Sequence, residues 1–432
     1  MKITFSAFVT LWQISTKQCM KVRSKRQNFF LVLMLGILYT LTPISIDMYL
    51  PAFPQIAIDF HTQISSVALS VSTYFLGFAI GQIIYGPLLD RFGRKKPMYI
   101  GLTLYIIATI GCVISGNISE FLVLRFVQAV GGCVAAVAAM AMVRDFFPVD
   151  ESAKIISLLI LILGVSPLLA PTIGGFIVSS LNWRWVFILL AIIVFIVLIV
   201  VAMFLPEGHK PDTTISLKPK PIINGFISIL TKKQFIVFAL AGTFSFAGLF
   251  VYVAGSPAIF MDSFHVSAKM YGGIFALLSV GFITCSQLNH LFTRKYSSEV
   301  ILKTAVTVQC IFAIMYFIGV INGWYGIVAN IIFLFIILAC CGLTFPNAAA
   351  VALAPFSKNA GSASALLGFI QIGVGGLISS GVGMMNIKGS FPTAMIMASS
   401  SLIALSILIA GRVRITDEMR EEIKLAGKSE VM

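Results

Sequence analysis

Charge is scarce in this chain. Only 11% of its 432 residues are Asp, Glu, Lys or Arg, and just 16 are acidic. Soluble domains carry about 25% charged residues. A chain this poor in charge, 59% hydrophobic and with a mean hydropathy of +1.00, does not fold as a water-soluble globule. The four histidines, His61, His209, His265 and His290, fall at or near loops and form no cluster. The seven cysteines (Cys19, Cys112, Cys133, Cys285, Cys310, Cys340 and Cys341) sit mostly in apolar stretches without metal-ligand spacing, so they read as packing residues and no metal is expected. No His/Asp/Ser constellation gathers at one end of the apolar runs, which argues against an enzyme. Glycine pairs such as Gly77 and Gly81 lie inside helical runs and do not form a phosphate-binding loop, so an ATP-driven motor is missing and no cofactor is expected. Strand-length alternating segments are also missing, which excludes a membrane barrel.

What is present is long apolar runs. Stretches of about 20 residues, the length that crosses a bilayer core of about 30 Å as a helix, centre near residues 40, 78, 106, 132, 166, 195, 246, 281, 311, 336, 373 and 401. An all-α integral membrane protein of about twelve spans follows. Of the 30 Lys and Arg, only Arg184, Lys269 and Lys388 fall in segments on one side and only Arg125 inside a span; all the others fall on the opposite side. The positive-inside tendency makes that side cytoplasmic, with both termini on it, and a bacterial cytoplasmic (inner) membrane is expected. The net charge of +14 is then a topology signal and an attraction to anionic headgroups of the lipid bilayer, and nucleic acid is not an expected partner.

The chain divides into a cytoplasmic tail (1–27), a six-helix bundle (28–205), a cytoplasmic linker (206–233), a second six-helix bundle (234–411) and a cytoplasmic tail (412–432). The first 20 residues superficially resemble a signal peptide, but they lack a small-residue cleavage site and lead into the basic "KVRSKRQ"; Met20 offers an alternative start. An offset of 200 residues lays "LLDRFGRK" (Leu88 to Lys95) over "LNHLFTRK" (Leu288 to Lys295), and "GGFIVSS" from Gly174 resembles "GGLISS" from Gly375. Two parallel six-helix repeats suit a transporter with a central site between its halves.

Two ionisable residues stand inside spans. With a rise of about 1.5 Å per residue, Asp47 lies roughly 28 Å along the first span and Arg125 roughly 8 Å below the outer surface on the fourth. Their heights match, and burial of a charge in a membrane points to function. A proton on Asp47 would remove part of that cost. Gln128 lies one turn from Arg125 and extends a polar stripe. In the competing reading, Asp47 caps a helix end broken by Pro51 and Pro54 while Arg125 snorkels.

"GPLLDRFGRKK", Gly86 to Lys96, is the most specific motif. Glycine permits a tight turn, and Asp90 can accept charge-assisted bonds from Arg or the next helix N-terminus. The stretch resembles the loop between helices two and three of the major facilitator superfamily. That resemblance implies that Gly86, Asp90, Arg91, Gly93, Arg94 and Lys95 gate conformational exchange by latching the cytoplasmic side in the outward-facing state. "RFVQAVGG" from Arg125 is similar to the family's fourth-helix motif, whose arginine is implicated in proton coupling. "SPLLAPTIGG" resembles its fifth-helix antiporter motif, with Ser166 and Ala170 in place of two glycines and with Pro167, Pro171, Gly174 and Gly175 present.

Together with "IDMYLPAFP", "NWRWVF", "GLTFPNAAA" and "GSASALLGF", these stretches make residues 28 to 411 similar to the Bcr/CflA type of drug-resistance transporter. The resemblance implies a major facilitator fold and proton-coupled drug efflux by alternating access, driven by the proton gradient. Asp47 would exchange the proton, with Arg125 modulating it. A small apolar or amphipathic drug-like substrate is expected, and a monomer. Tyr49 and Gln128 are candidates for the polar part of a cavity, Phe244, Phe246, Phe250 and Tyr252 for its apolar surface, and Asn347 for a further polar contact. An exporter of a small metabolite such as an amino acid is the nearest alternative.

Overall fold

The computed structural model describes residues 25–147, 149–208, 211, 219–356, 360–385, 387 and 389–411. Both expected tails, apart from residues 25–27, lie outside these residues, as do the alternative start at Met20 and most of 209–218 in the linker. Among the described residues twelve helices are long and apolar enough to span a bilayer, and none of these residues forms a strand. They are α1 (Lys25–Asp47), α2 (Ile64–Phe92), α3 (Lys95–Ile114), α4 (Ile118–Phe146), α5 (Val149–Ser180), α6 (Arg184–Phe204), α7 (Lys233–Pro257), α8 (Ala268–Thr293), α9 (Ser298–Ile321), α10 (Ile327–Leu353), α11 (Ala360–Met384) and α12 (Phe391–Ala410). The expected fold class is borne out.

Local chemistry sets several ends. Asn117 accepts the Glu120 N–H at the start of α4, and Ser267 accepts the Met270 N–H at the start of α8, each satisfying a donor that the helix leaves open. Helix α1 stops at Asp47, and the first span is completed by a 3-10 turn, Leu50–Ala52, and a short helix, Phe53–Asp59. Pro51 and Pro54 fall in the first turns of these two pieces, where a missing N–H is harmless, whereas in an unbroken helix each would remove a bond. The linker forms a short helix, Pro219–Leu230, whose Ile229 is buried beside Phe235 and Phe356.

The two halves meet chiefly along α2 with α11 and α5 with α8. Helices α2, α4, α6, α8 and α10 end, and α3 and α11 begin, on the face that carries the Gly86–Lys96 loop, hereafter the basic face. At the far face the halves touch backbone to backbone. A Cβ on Gly383 of α11 would lie 2.6 Å from the Ser65 oxygen of α2, and one on Gly175 of α5 would lie 2.5 Å from the Ala268 oxygen of α8. Nearer the basic face, a Cβ on Gly164 would meet only the Ile283 side chain at 3.5 Å, and around Gly86 nothing lies within 4 Å. The last turns of α8 are correspondingly bare: Gln287, Leu288, and His290 through Thr293 are exposed. The seam therefore widens toward the basic face.

Candidate functional site

Asp47 sits at the break of α1, on the sealed end of the seam. It is only 5% exposed, and no hydrogen bond or ion pair reaches its carboxylate among the described residues. The 3-10 turn that follows touches α5, α7 and α8. The groups that feel the Asp47 charge include the phenols of Tyr252 on α7 and Tyr271 on α8, both in the second half. Tyr271 is fixed by a 2.7 Å hydrogen bond to Ser256, and the Tyr252 hydroxyl is buried nearby. The carboxylate thus stands where one half meets the other. Gly174 makes room for the break, because a Cβ there would run into the Met48 carbonyl oxygen.

Arg125 points into the first bundle, away from this junction. It is fully buried; Nη1 donates to Gln128 Oε1, and Nη2 donates to the Ser45 carbonyl at 3.2 Å. Its guanidinium lies 4.2 Å from the Tyr49 ring centre and 4.4 Å from that of Tyr74. Gln128 Nε2 in turn donates to Thr109 at 2.7 Å. A desolvated Arg over an aromatic face gains about 2 kcal/mol, so the stack and the hydrogen bonds hold the cation where no ion pair does. No salt bridge joins Arg125 to Asp47 among the described residues. Matching heights along two helices did not place them on facing sides. The snorkelling alternative fails too, since Arg125 is 0% exposed, although Asp47 does end its helix.

Several expected cavity residues lie elsewhere. Tyr49 and Gln128 are fully buried inside the first bundle, Tyr49 through a 2.8 Å hydrogen bond to Ser70 and ring contacts with Phe53 and Phe187, so neither lines the seam. Phe244 packs against a separate core of the second half, because two residues along a helix turn a side chain to nearly the opposite face from Phe246. Asn347 is buried between α10 and α8, donating to Asn289 at 2.6 Å. Phe246 and Phe250 do reach the seam: Phe250 meets Phe75 of α2 at 4.4 Å between ring centres, and Phe246 meets the 38% exposed Phe345 at 4.5 Å. Phe75 and Phe345 were missed by sequence reasoning, as were Tyr271 and Gln82, whose amide rests on Gly368 of α11. An amide in an otherwise apolar run was the readable signal.

The basic-face loop is a charge cluster. Arg94 Nη1 reaches Asp90 at 2.7 Å and its Nε reaches Asp145 at the end of α4 at 2.7 Å. Glu207, just past α6, accepts from the Arg94 and Lys95 N–H groups and so caps α3. Lys95 Nζ also reaches the Ala202 carbonyl, and the Arg91 guanidinium lies over Phe92. Burial works against the Arg94 charge, but the hydrogen bonds and charges of Asp145 and Asp90 outweigh it and hold its pKa above the usual guanidinium value. Gly93 adopts φ +81°, which an L side chain disfavours, and so permits the turn. Among the described residues every ion pair of this cluster stays within the first half. Pro167 and Pro171 lie within α5, and the Pro171 carbonyl approaches Gly272 of α8.

On the far face, beyond Asp47, a cavity of about 340 Å³ is lined from both halves by residues including Thr62, Gln63, Met261 and Asp262. One wall is a π-helix, Ala258–Ser263. The internal repeat accounts for it: "PQIAIDFH" (Pro54 to His61) recurs as "PAIFMDSFH" (Pro257 to His265) with one extra residue, the usual origin of a π turn. His61 and His265 both take positive φ, at 49° and 53°.

The sequence profile of the Major Facilitator Superfamily matches residues 35–380. The chain belongs to this family. It is 28% identical to a bicyclomycin resistance protein homolog of Haemophilus influenzae over 90% of this chain and 96% of that protein. It is 32% identical to the MFS-type transporter YdgK of Bacillus subtilis, covering 88% and 94%, and 26% identical to multidrug resistance protein D of Escherichia coli, covering 82% and 89%. The resemblance to Bcr/CflA-type drug-resistance transporters is thereby borne out. The fold matches a D-xylose-proton symporter with a TM-score of 0.68 at 16% identity, over 88% of this chain and 97% of that one. A bacterial homolog of the lysosomal transporter Spinster, captured inward-facing and occupied, matches with a TM-score of 0.66 at 16% identity, over 94% and 98%. This facilitator is a multi-pass membrane protein.

Proposed function

We propose that this facilitator is a drug:proton antiporter of the bacterial cytoplasmic membrane, with both termini cytoplasmic and no cofactor beyond the proton gradient. The basic face is then the cytoplasmic one, and the seam that widens toward it is the inward-facing state of an alternating-access cycle. The observation that carries the reading is Asp47: a carboxylate without a hydrogen-bond or ion-pair partner among the described residues, at a helix break, where the two halves join.

Coupling follows from linkage. A proton bound to Asp47 removes a charge from the junction between the halves. Any difference in proton affinity between the inward- and outward-facing arrangements therefore biases the one over the other, and a substrate with the reverse preference exchanges for the proton. Small apolar or amphipathic compounds fit the aromatic wall formed by Phe75, Phe246, Phe250 and Phe345. Arg125 acts through α1: its bond to the Ser45 carbonyl, two residues before Asp47, holds the last turn of that helix.

Inverted membrane vesicles with an imposed proton gradient test this. Asp47→Asn is expected to abolish gradient-driven accumulation of an exported dye while the protein remains folded and inserted. Undiminished gradient-driven transport by that variant would remove Asp47 from the coupling.

A further inference from the structure

The linker helix, Pro219–Leu230, keeps an apolar edge that the protein does not cover. At helical spacing Ile229, Phe226, Leu230 and Ile227 follow one another around a single arc, and Ser228 lies opposite its middle. Half of the arc packs on the second bundle: Ile229 is buried beside Phe235 and Phe356, and Phe226 is half-buried on the same core. The other half faces outward, with Ile227 53% and Leu230 38% exposed. The helix does not run on into α7. Thr231 and Lys232 close its last turn on the Ile227 and Ile229 carbonyls, and Lys232 then takes an extended backbone, ψ 110°, before α7 starts at Lys233. The helix touches α7 and α11 and so turns aside where these spans begin, at the edge of the apolar region on the basic face. Charge at this level has one sign. Lys218 and Lys220 stand at the start of the helix and Lys232 and Lys233 just past its end, and no Asp or Glu occurs from Thr213 through Met261. Lys232 and Lys233 are exposed and, among the described residues, enter no ion pair.

We infer that the linker helix docks on the membrane surface, with its Ile227 and Leu230 edge between lipids and its flanking lysines on the headgroups of anionic phospholipids of the phosphatidylglycerol kind. An amphipathic helix with a basic rim takes that position because burial of its apolar edge and attraction to the headgroups act together. Two exposed apolar side chains bury too little surface to hold the helix on a neutral bilayer, so the lysines make the docking depend on lipid charge. A second copy of this chain suits the edge less well, since a symmetric contact would set the same lysines against each other. The inference goes beyond the antiport reading and needs none of it: insertion in a bilayer and the place of the linker on the basic face suffice.

Reconstitution into vesicles tests the docking. In the full chain with its native cysteines replaced, a nitrobenzoxadiazole label is attached at Ile227→Cys or at Ser228→Cys, and its quenching by lipids spin-labelled near the headgroup is read. In phosphatidylcholine mixed with phosphatidylglycerol, the label at 227 is expected to shift its emission to shorter wavelength and to lose most of its intensity to the quencher, while the label at 228 keeps its intensity. In phosphatidylcholine alone, both labels are expected to keep theirs. Replacing Lys218, Lys220, Lys232 and Lys233 together by Gln is expected to abolish the difference between the two lipid mixtures, because each lysine near an anionic surface contributes a preference of about fivefold. Should that variant fail to insert, raising the salt around the chain with its lysines intact screens the same attraction and carries the same expectation. A label at 227 quenched no more than the one at 228, equal quenching in both mixtures, or quenching that survives both lysine removal and salt overturns the docking. A label at 227 shielded from water already in detergent and beyond reach of the quencher in both mixtures means that a second copy covers the edge, and overturns it as well.

Discussion

At the scale of single residues, the two membrane-embedded charges are handled by opposite means. Asp47 is left bare at a junction that can open, whereas Arg125 is enclosed by two tyrosine rings, an amide and a carbonyl. That enclosure depends on the planar shape of guanidinium. Lysine keeps the charge but offers neither the fork that reaches Gln128 and Ser45 together nor a flat face for Tyr49 and Tyr74. Arg125→Lys is therefore expected to lower stability by about 2 kcal/mol and to impair gradient-driven transport, read from thermal unfolding in detergent and from vesicle uptake. A variant with wild-type unfolding and uptake would show that only the charge matters. The sequence announced both residues, because an ionisable side chain in an apolar run is conspicuous. It could not announce their partners: rise per residue gives height along a helix, whereas which way a side chain faces depends on how the helices are rotated and packed. Tyr49 and Gln128 were misplaced for that reason, each being polar enough to suggest a cavity yet satisfied inside the bundle.

At the scale of elements, run length and proline placement made the twelve spans legible, along with the break after Asp47. The basic-face loop was legible through its glycines and alternating charges, although its contact with Glu207 was not, since that pairing spans more than a hundred residues. The π turn of the second half was readable only by aligning the two repeats and noticing one extra residue. Glycines separate two kinds of requirement. Gly174→Ala drives a Cβ into the Met48 carbonyl, backbone that cannot yield cheaply, and is expected to cost stability and to lower the yield of folded protein. Gly86→Ala meets open space in this arrangement, so unfolding temperature is expected to stay at the wild-type value. Transport is nevertheless expected to fall, because α2 must close on α11 at this level when the basic face shuts. Destabilised Gly86→Ala protein, or full transport by it, would contradict the seam geometry.

At the scale of the whole molecule, the proposed alternating-access cycle requires the contacts that seal the far face to separate. The halves meet there through backbone approaches at Gly383 and Gly175 and through the 2.9 Å hydrogen bond between Ser72 and Ser379. Hydroxyl oxygens at that separation place the corresponding cysteine sulfurs within easy reach of the 2.05 Å disulfide length. In a background whose native cysteines are replaced, Ser72→Cys with Ser379→Cys is therefore expected to cross-link under mild oxidation, to stop transport when bridged and to recover on reduction, with each single variant unaffected. The bridge holds only the far side of the seam, leaving the basic face as open as before. Binding of a substrate from that face should then survive while turnover does not, because a rocking motion about a central site requires both ends of the seam to open in alternation. Transport that continues with the bridge intact would mean that substrate leaves by a route other than the separation of α2 from α11.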